Sequence, residues 1–417
     1  MIVQPGSPFP IVFSDSNILS AFGRLNTNEA QATFISQQQY GDDTSQWETL
    51  TSGTGLTTFL PNESTIQLST GGTASGASVI RQSRLYHRYI PAHGQTIEMT
   101  FVMDSGPIIT NNVRRVGYFD SNNGVYLEVN GTTVNICLRS DITGTPVNTV
   151  IPQSSWNVDT FGASTLNPSG ITINWLKAQI FAVDLQWLGV GRVRVGFNIN
   201  GIYYPAHYFD NANNVTTVYM TTANLPVRYE NVNTGTASNL ATLRHICSSV
   251  TTDGGAPLDY GHSYSANIGA GGLSITDGSR VPVLSLQAKT TGPNSVRNTG
   301  QIMLSEYDVA VTGSNSALWE LILNPTLTGA SFTAYNSSIS IANIDTSATA
   351  VSGGIVLNSG YLTSTSQAKA TVSNALNIKQ YILAYSGLLN HQDTLSLVCT
   401  AVGTTSVFSK MTWIELW

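Results

Sequence analysis

The chain has 417 residues, of which only 10% are charged, with a formal net charge of −6; an ordinary globular domain carries roughly 25% charge. With 41% hydrophobic residues it is not a disordered chain, and its acidic balance sets net attraction to nucleic acid aside. So little charge over so great a length leaves an outside poorly suited to facing water alone, which points to a structural role in a large symmetric assembly or an extracellular particle.

Taken in chain order, the segments read as β structure. At this length two or three domains are expected. Residues 1–45 differ from the rest: Pro5, Pro8 and Pro10 give an extended start and a polar stretch follows, so an extended N-terminal arm or docking segment is expected. Residues 81–94, RQSRLYHRYIPAHG, interleave Arg81, Arg84 and Arg88 with Tyr86 and Tyr89. Arginine mixed with aromatics suits single-stranded nucleic acid or a protein interface; the acidic net charge and only five lysines favour protein contact or internal ion pairs. Residues 125–138, VYLEVNGTTVNICL, alternate apolar and polar about Asn130-Gly131, which predicts a hairpin with a two-residue type I′ loop. That loop would pair Val129 with Thr132, Leu127 with Val134 and Val125 with Ile136. The stretch from Trp175 to Trp187 fits both helical and strand spacing and is read as a strand.

Residues 184–208 repeat the hairpin pattern. Val193, Val195, Phe197 and Ile199 share one face, Arg192 and Arg194 the other, and Asn200-Gly201 turns the chain. Ile199 should meet Ile202, Phe197 Tyr204 and Val195 Ala206, with a bulge or bend at Gly189 and Gly191. TTDGGA at 251–256 is the best candidate boundary. Beyond it, short apolar runs near 281, 317, 338 and 393 and the terminal SKMTWIELW read as strands, with Ala375–Leu389 as a helix candidate. The fold expected is all-β: an arm over 1–45, then two antiparallel β-sandwich or jelly-roll-like domains over 46–250 and 251–417.

Catalytic and metal signals are weak. The cysteines, Cys137, Cys247 and Cys399, stand singly and are expected in strands as small apolar residues. The six histidines show no metal-ligand spacing, so neither metal nor cofactor is expected, and no GxSxG or P-loop occurs. Asp104, Asp120, Glu128, Asp184, Glu230, Glu306, Asp308 and Glu320 lie in or beside predicted strands. A paired-carboxylate glycanase needs two of them to converge; arginine pairing of Asp184 with Arg192 or Arg194, and of Glu230 with Arg228, is the reading preferred. Trp47, Trp156, Trp175, Tyr118 and Tyr126 offer rings for sugar stacking, though core filling explains most of them more simply. No run of 18 apolar residues suggests a membrane span, and the N-terminus has no signal-peptide pattern.

AFGRL (21–25), VIRQSRLYHRYIPAHGQ (79–95), RVGYFDSNNGVYLE (115–128), DLQWLGVGRVRVGF (184–197) and TANLPVRYE (222–230) resemble a recurring group of tailed-phage virion proteins common in cyanophages and other marine phages. LWELILNPTLTGASF (318–332), SGGIVLNSGY (352–361) and WIELW resemble it too. The resemblance runs through most of the chain in order and has no catalytic signature. It implies a non-enzymatic virion protein made in a host cytoplasm. A capsid decoration (cement) role is expected, binding the major capsid protein lattice or other virion proteins, with a tail, baseplate or fibre component open to host-carbohydrate binding as the alternative. Self-association, as a homotrimer first, is expected, with Arg81, Arg84, Tyr86, Arg88, Tyr89, Arg192 and Arg194 as candidate interface residues and neither nucleic acid nor membrane as a partner.

Overall fold

The structure, a computed structural model, describes residues 30–253 except 105 and 107, then 261–312, 315–363 and 382–417. These residues are all-β and antiparallel, and their only helical turns are 3₁₀ turns at Gln153–Ser155 and Pro293–Ser295. Of the described residues, 30–83 and 89–253 form one compact unit, and 84–88 group with those from 261 onward in a second. β15 continues to Thr252, past the expected start of the second domain at 251.

The first unit is built from β1 (Gln31–Gln37), β2 (Trp47–Ser52), β3 (Leu56–Leu60), β4 (Thr65–Ser69), β5 (Ser78–Ser83), β6 (Gln95–Val102), β7 (Asn112–Phe119) and β8 (Gly124–Asn130). Next come β9 (Thr133–Ser140), β10 (Val147–Pro152), β11 (Gln179–Leu185), β12 (Val193–Ile199), β13 (Ile202–Phe209), β14 (Val227–Asn233) and β15 (Thr242–Thr252). Sheet A has the order β13-β12-β11-β6-β15-β4-β3, and sheet B the order β10-β9-β8-β7-β14-β5-β2. β15 has 11 residues, long enough for two partners end to end: its first half pairs with β4 and its second with β1. Residues 31–37, expected within the arm, are therefore a sheet strand. Residues 1–29 lie outside the described residues.

Period-two alternation sets the core. In β6, Ile97, Met99 and Phe101 are buried, and they meet Val116, Tyr118, Leu127 and Val129 of sheet B in one hydrophobic core. Trp47, Trp156, Trp175, Tyr118 and Tyr126 are all buried, so none of these aromatic platforms is open for sugar stacking. The 193–209 hairpin turns at Asn200-Gly201 with φ of 53° and 81°, as a type I′ loop requires, and pairs Ile199 with Ile202 and Phe197 with Tyr204. Val195 meets His207 rather than Ala206, because a bulge intervenes. In the 124–140 hairpin, Val129 pairs with Val134 and Leu127 with Ile136, two residues from the expected register. The loop is Gly131-Thr132, with Gly131 at φ 59° in the position where a type II′ turn takes glycine. A shift of two keeps every side chain on its expected face. Of the bulge or bend expected at Gly189 and Gly191, the structure has the bend: both lie in the turn between β11 and β12. Strand β11 falls inside the 175–187 stretch, as its strand spacing predicts.

The second unit contains β16 (His262–Asn267), β17 (Leu273–Ile275), β18 (Arg280–Ala288), β19 (Gln301–Val311), β20 (Ser316–Leu323), β21 (Thr326–Thr328), β22 (Thr333–Ala334) and β23 (Ala342–Asp345). It continues with β24 (Ala350–Ser352), β25 (Ile355–Leu362), β26 (Ile382–Leu383), β27 (Tyr385–Ser386), β28 (His391–Gln392), β29 (Thr394–Val402) and β30 (Thr405–Leu416). Sheet C has the order β16-β30-β19-β26, with β17 also on β30, and sheet D the order β22-β23-β18-β29-β20-β25. The last strand is thus central. Its alternating buried residues, among them Val407, Met411 and Trp413, join Leu286, Leu321 and Leu397 of sheet D in a second core. Of the helix candidate 375–389, residues 375–381 lie outside the described residues, and 382–386 carry the short strands β26 and β27.

Candidate functional site

The arginine-aromatic segment does not act as one surface. Arg81, on β5, is fully buried between the two sheets of the first unit, ion-paired to Asp42 and lying 5.0 Å over the Trp47 ring. Its Nε donates to His245 Nδ1 at 3.2 Å, and its Nη2 donates to Gln38 Oε1 at 3.2 Å. Tyr89 is buried with its ring edge-on to Trp187. Within the second unit, Arg84 is ion-paired to Asp393, Tyr86 is buried under the Arg297 guanidinium, and Arg88 is half-buried. Arg194 donates to the buried carboxylate of Asp184 through Nε at 2.8 Å, and Arg228 pairs with Glu230 at 2.6 Å, the arginine partners preferred from the sequence. Only Arg192 is exposed, paired to Asp210. As a candidate interface the set is therefore corrected: Arg81, Tyr86, Tyr89 and Arg194 are buried within the chain, the two arginines against their own carboxylates.

Around Arg81 the structure assembles a polar group that alternation in the sequence does not reveal. β15 bulges between His245 and Ser248 where it pairs with β6. Residues three apart on a regular strand face opposite sides; the bulge turns both His245 and Ser248 inward and leaves Cys247 exposed. His245 Nε2 lies 3.2 Å from Ser248 Oγ, which lies 2.9 Å from Tyr229 Oη. This resembles a serine-histidine pair, and the proton positions decide against one. Arg81 has only protons to give, so His245 Nδ1 is the acceptor and Nε2 carries the hydrogen, donating it to Ser248. The imidazole therefore cannot take the serine proton as a general base. Burial first, and then the Arg81 charge, push the His245 pKa well below its usual value, which keeps the ring neutral.

The carboxylates singled out from the sequence are likewise engaged. Asp104 meets Arg244, Glu128 and Glu230 share Arg115 at 2.8 Å each, and Glu320 meets Arg280 at 2.7 Å. Glu306 and Asp308 flank Lys410, and Asp120 accepts the backbone N–H groups of Asn122 and Asn123. Among the described residues no group of three or more His, Cys, Asp or Glu is placed to hold a metal ion. Arg115, Arg139 and Arg228 stack over Phe119 and Tyr126 on the outer face of sheet B. Cys137 joins this cluster, its thiol pushed up to about 12 chiefly by burial.

A cleft of about 650 Å³ opens on the outer face of sheet A. Because Ile97, Met99 and Phe101 face the core, Glu98 and Thr100 face outward. Glu98 pairs across with Ala182 on β11 and Ser249 on β15, and Ser249 in turn with Ile35 on β1. Cys247, turned out by the bulge, Gln37 and Ile180 extend the lining, and Asp43 and Gln46 close one side. Asn198 Nδ2, two strands away on β12, donates to Glu98 Oε1. Burial raises the Glu98 pKa above the ordinary carboxylate value, opposed by that hydrogen bond.

No protein-family model and no curated protein matches the sequence. Several solved structures share features of the fold. The receptor-binding domain of a botulinum neurotoxin mosaic serotype C/D aligns over 54% of this chain and 48% of its own length, at 12% identity and a TM-score of 0.31. A legume lectin-like domain from Entamoeba histolytica aligns over 53% of this chain and 98% of that one, at 7% identity and TM-score 0.31. A protein of unknown function from Shewanella oneidensis aligns over 60% of this chain and all of its own, at 9% identity and TM-score 0.36. This chain spans about half the length of the neurotoxin domain it matches. At these identities and scores the likenesses assign no residue a role.

Proposed function

We propose that this chain is a non-enzymatic structural protein of a tailed-phage particle that self-associates, with capsid decoration as its first role. The supports are the run of sequence resemblance, the low charge, and one structural observation that carries the assembly part. Among the described residues, β25 is an edge strand of sheet D, eight residues long and without a charged side chain. Ile355, Val356 and Tyr361 on it are 63%, 48% and 79% exposed. Monomeric proteins protect such edges with lysine, proline or short strands; an unprotected apolar edge suits burial against another subunit. A trimer is the oligomer proposed, on a head lattice whose three-fold positions it would occupy.

A tail or fibre position is the second reading, favoured by the open cleft on sheet A. Gold-labelled antibody to the chain, imaged on intact particles, tests both. Label spread over the head is the expected result. Label restricted to the tail tip moves the role to a fibre component. Absence of the chain from purified particles by mass spectrometry overturns the proposal.

A further inference from the structure

We propose that the cleft on the outer face of sheet A is a binding site for a neutral glycan, with Glu98 as its fixed hydrogen-bond acceptor. This goes beyond a structural role and does not depend on where in a particle the chain resides.

Three observations carry it. The first is shape: about 650 Å³ lies within the roughly 300–1,000 Å³ range of small-molecule clefts. Small side chains, among them Thr100, Ser249 and Cys247, make up much of the lining and leave room for a chain over the sheet. The second is the polar chemistry. The lining holds two carboxylates, Glu98 and Asp43, with hydroxyls and amides, and it contains neither lysine nor arginine. That lining repels phosphate, sulfate and uronate groups. Each carboxylate is already partly engaged by neutral donors: Asn198 takes Glu98 Oε1, and the Ser45 backbone and hydroxyl both take Asp43 Oδ1. The lone pairs left on each carboxylate can accept from sugar hydroxyls; a cationic group would compete for the same oxygens, and the lysine-rich peptide in the test below separates the two. The third is the apolar flanks. Ile35 on β1 and Ile180 on β11 are 67% and 38% exposed, and lie three inter-strand spacings apart, roughly 14 Å. An oligosaccharide has hydroxyls on its ring edges and C–H groups on its ring faces, so one residue can set an edge on Glu98 while others along the chain meet the isoleucines.

The test uses the full chain and a defined panel: gluco-, xylo-, manno- and galacto-hexaoses of β- and α-linkage, a sulfated and a uronate oligosaccharide, and a lysine-rich peptide, titrated calorimetrically. Binding of at least one neutral hexaose, weakened about tenfold or more by Glu98→Gln and abolished by Ser249→Trp, is expected. Thermal unfolding of both variants should match the parent, because both side chains lie on the outer face. Three results overturn the inference: no neutral hexaose binds, the charged probes bind in preference, or the hexaose binds unchanged to both variants and so sits elsewhere. None of these bears on head decoration, which the gold label reads independently, so this inference and that role stand or fall separately.

Discussion

Arg81 shows how a single residue type can be read two ways. In the sequence it sits among arginines and tyrosines, and the same pattern serves an interface or an interior. The structure resolves the choice through its partners: Asp42, His245, Gln38 and the Trp47 ring together satisfy a guanidinium with no exposed surface. Removing it strips His245 of the donor that fixes its tautomer and leaves a void under Trp47. Arg81→Ser should cost about 3 kcal/mol or more of stability, in the range found when one partner of a buried ion pair is removed. Arg192→Ser, which breaks a pair whose side chains are 46% and 48% exposed, should cost less than about 1 kcal/mol. Urea denaturation of the two variants measures the difference. Equal costs would mean that Arg81 is not the internal group described above.

At the scale of strands and turns, the reading of the sequence succeeds where the signal is local. Asn200-Gly201 names its own turn type, and the apolar face of β12 follows from alternation. Asn130-Gly131 names a turn as strongly, yet the chain closes one residue later. There the strand partners β7 and β9 fix the position of β8, and a two-residue slip that preserves the faces costs no burial. The β15 bulge left no mark in the pattern, because Ile246 and Cys247 read as an ordinary strand pair; with the bulge went the inward Ser248 and the outward Cys247. Two glycines separate the local from the tertiary demand. At Gly201, a Cβ would meet nothing within 4 Å but the φ is 81°, so Gly201→Ala should cost about 1 kcal/mol of backbone strain. At Gly117 the backbone is ordinary, but a Cβ would lie 2.4 Å from Tyr126 Cβ and 2.5 Å from the Val125 carbonyl oxygen. Strands β7 and β8 would have to part beneath the Phe119–Tyr126 stack, and Gly117→Ala should cost about 3 kcal/mol, the upper end for overpacking. Thermal unfolding ranks the pair; a milder effect at Gly117 would mean that the strands separate easily there.

For the whole molecule, composition was informative and site geometry was not. Ten per cent charge raises the expectation of covered surfaces, but which surfaces could be covered depends on strand order, and no local pattern gives that. SGGIVLNSGY carries no sign of its position in a sheet; only its place at the end of sheet D, among the described residues, makes it an edge. The cleft is invisible for the same reason, since Glu98, Ser249, Ile35 and Asn198 come together only through the order β12-β11-β6-β15 and the pairing of β1 with β15. Self-association through β25 makes a direct demand. A lysine on the edge forces a charge against a neighbouring subunit but leaves the monomer's core untouched, because both target side chains already face out. The Ile355→Lys, Tyr361→Lys double variant should therefore run as a monomer by light scattering at concentrations where the parent is a trimer, with the parent's circular dichroism and thermal transition. An unchanged trimer would remove β25 from the interface and turn attention to β10, the other edge with exposed valines, Val147 and Val150. A monomeric parent would leave the exposed edge to a different virion protein and end the self-association proposed here.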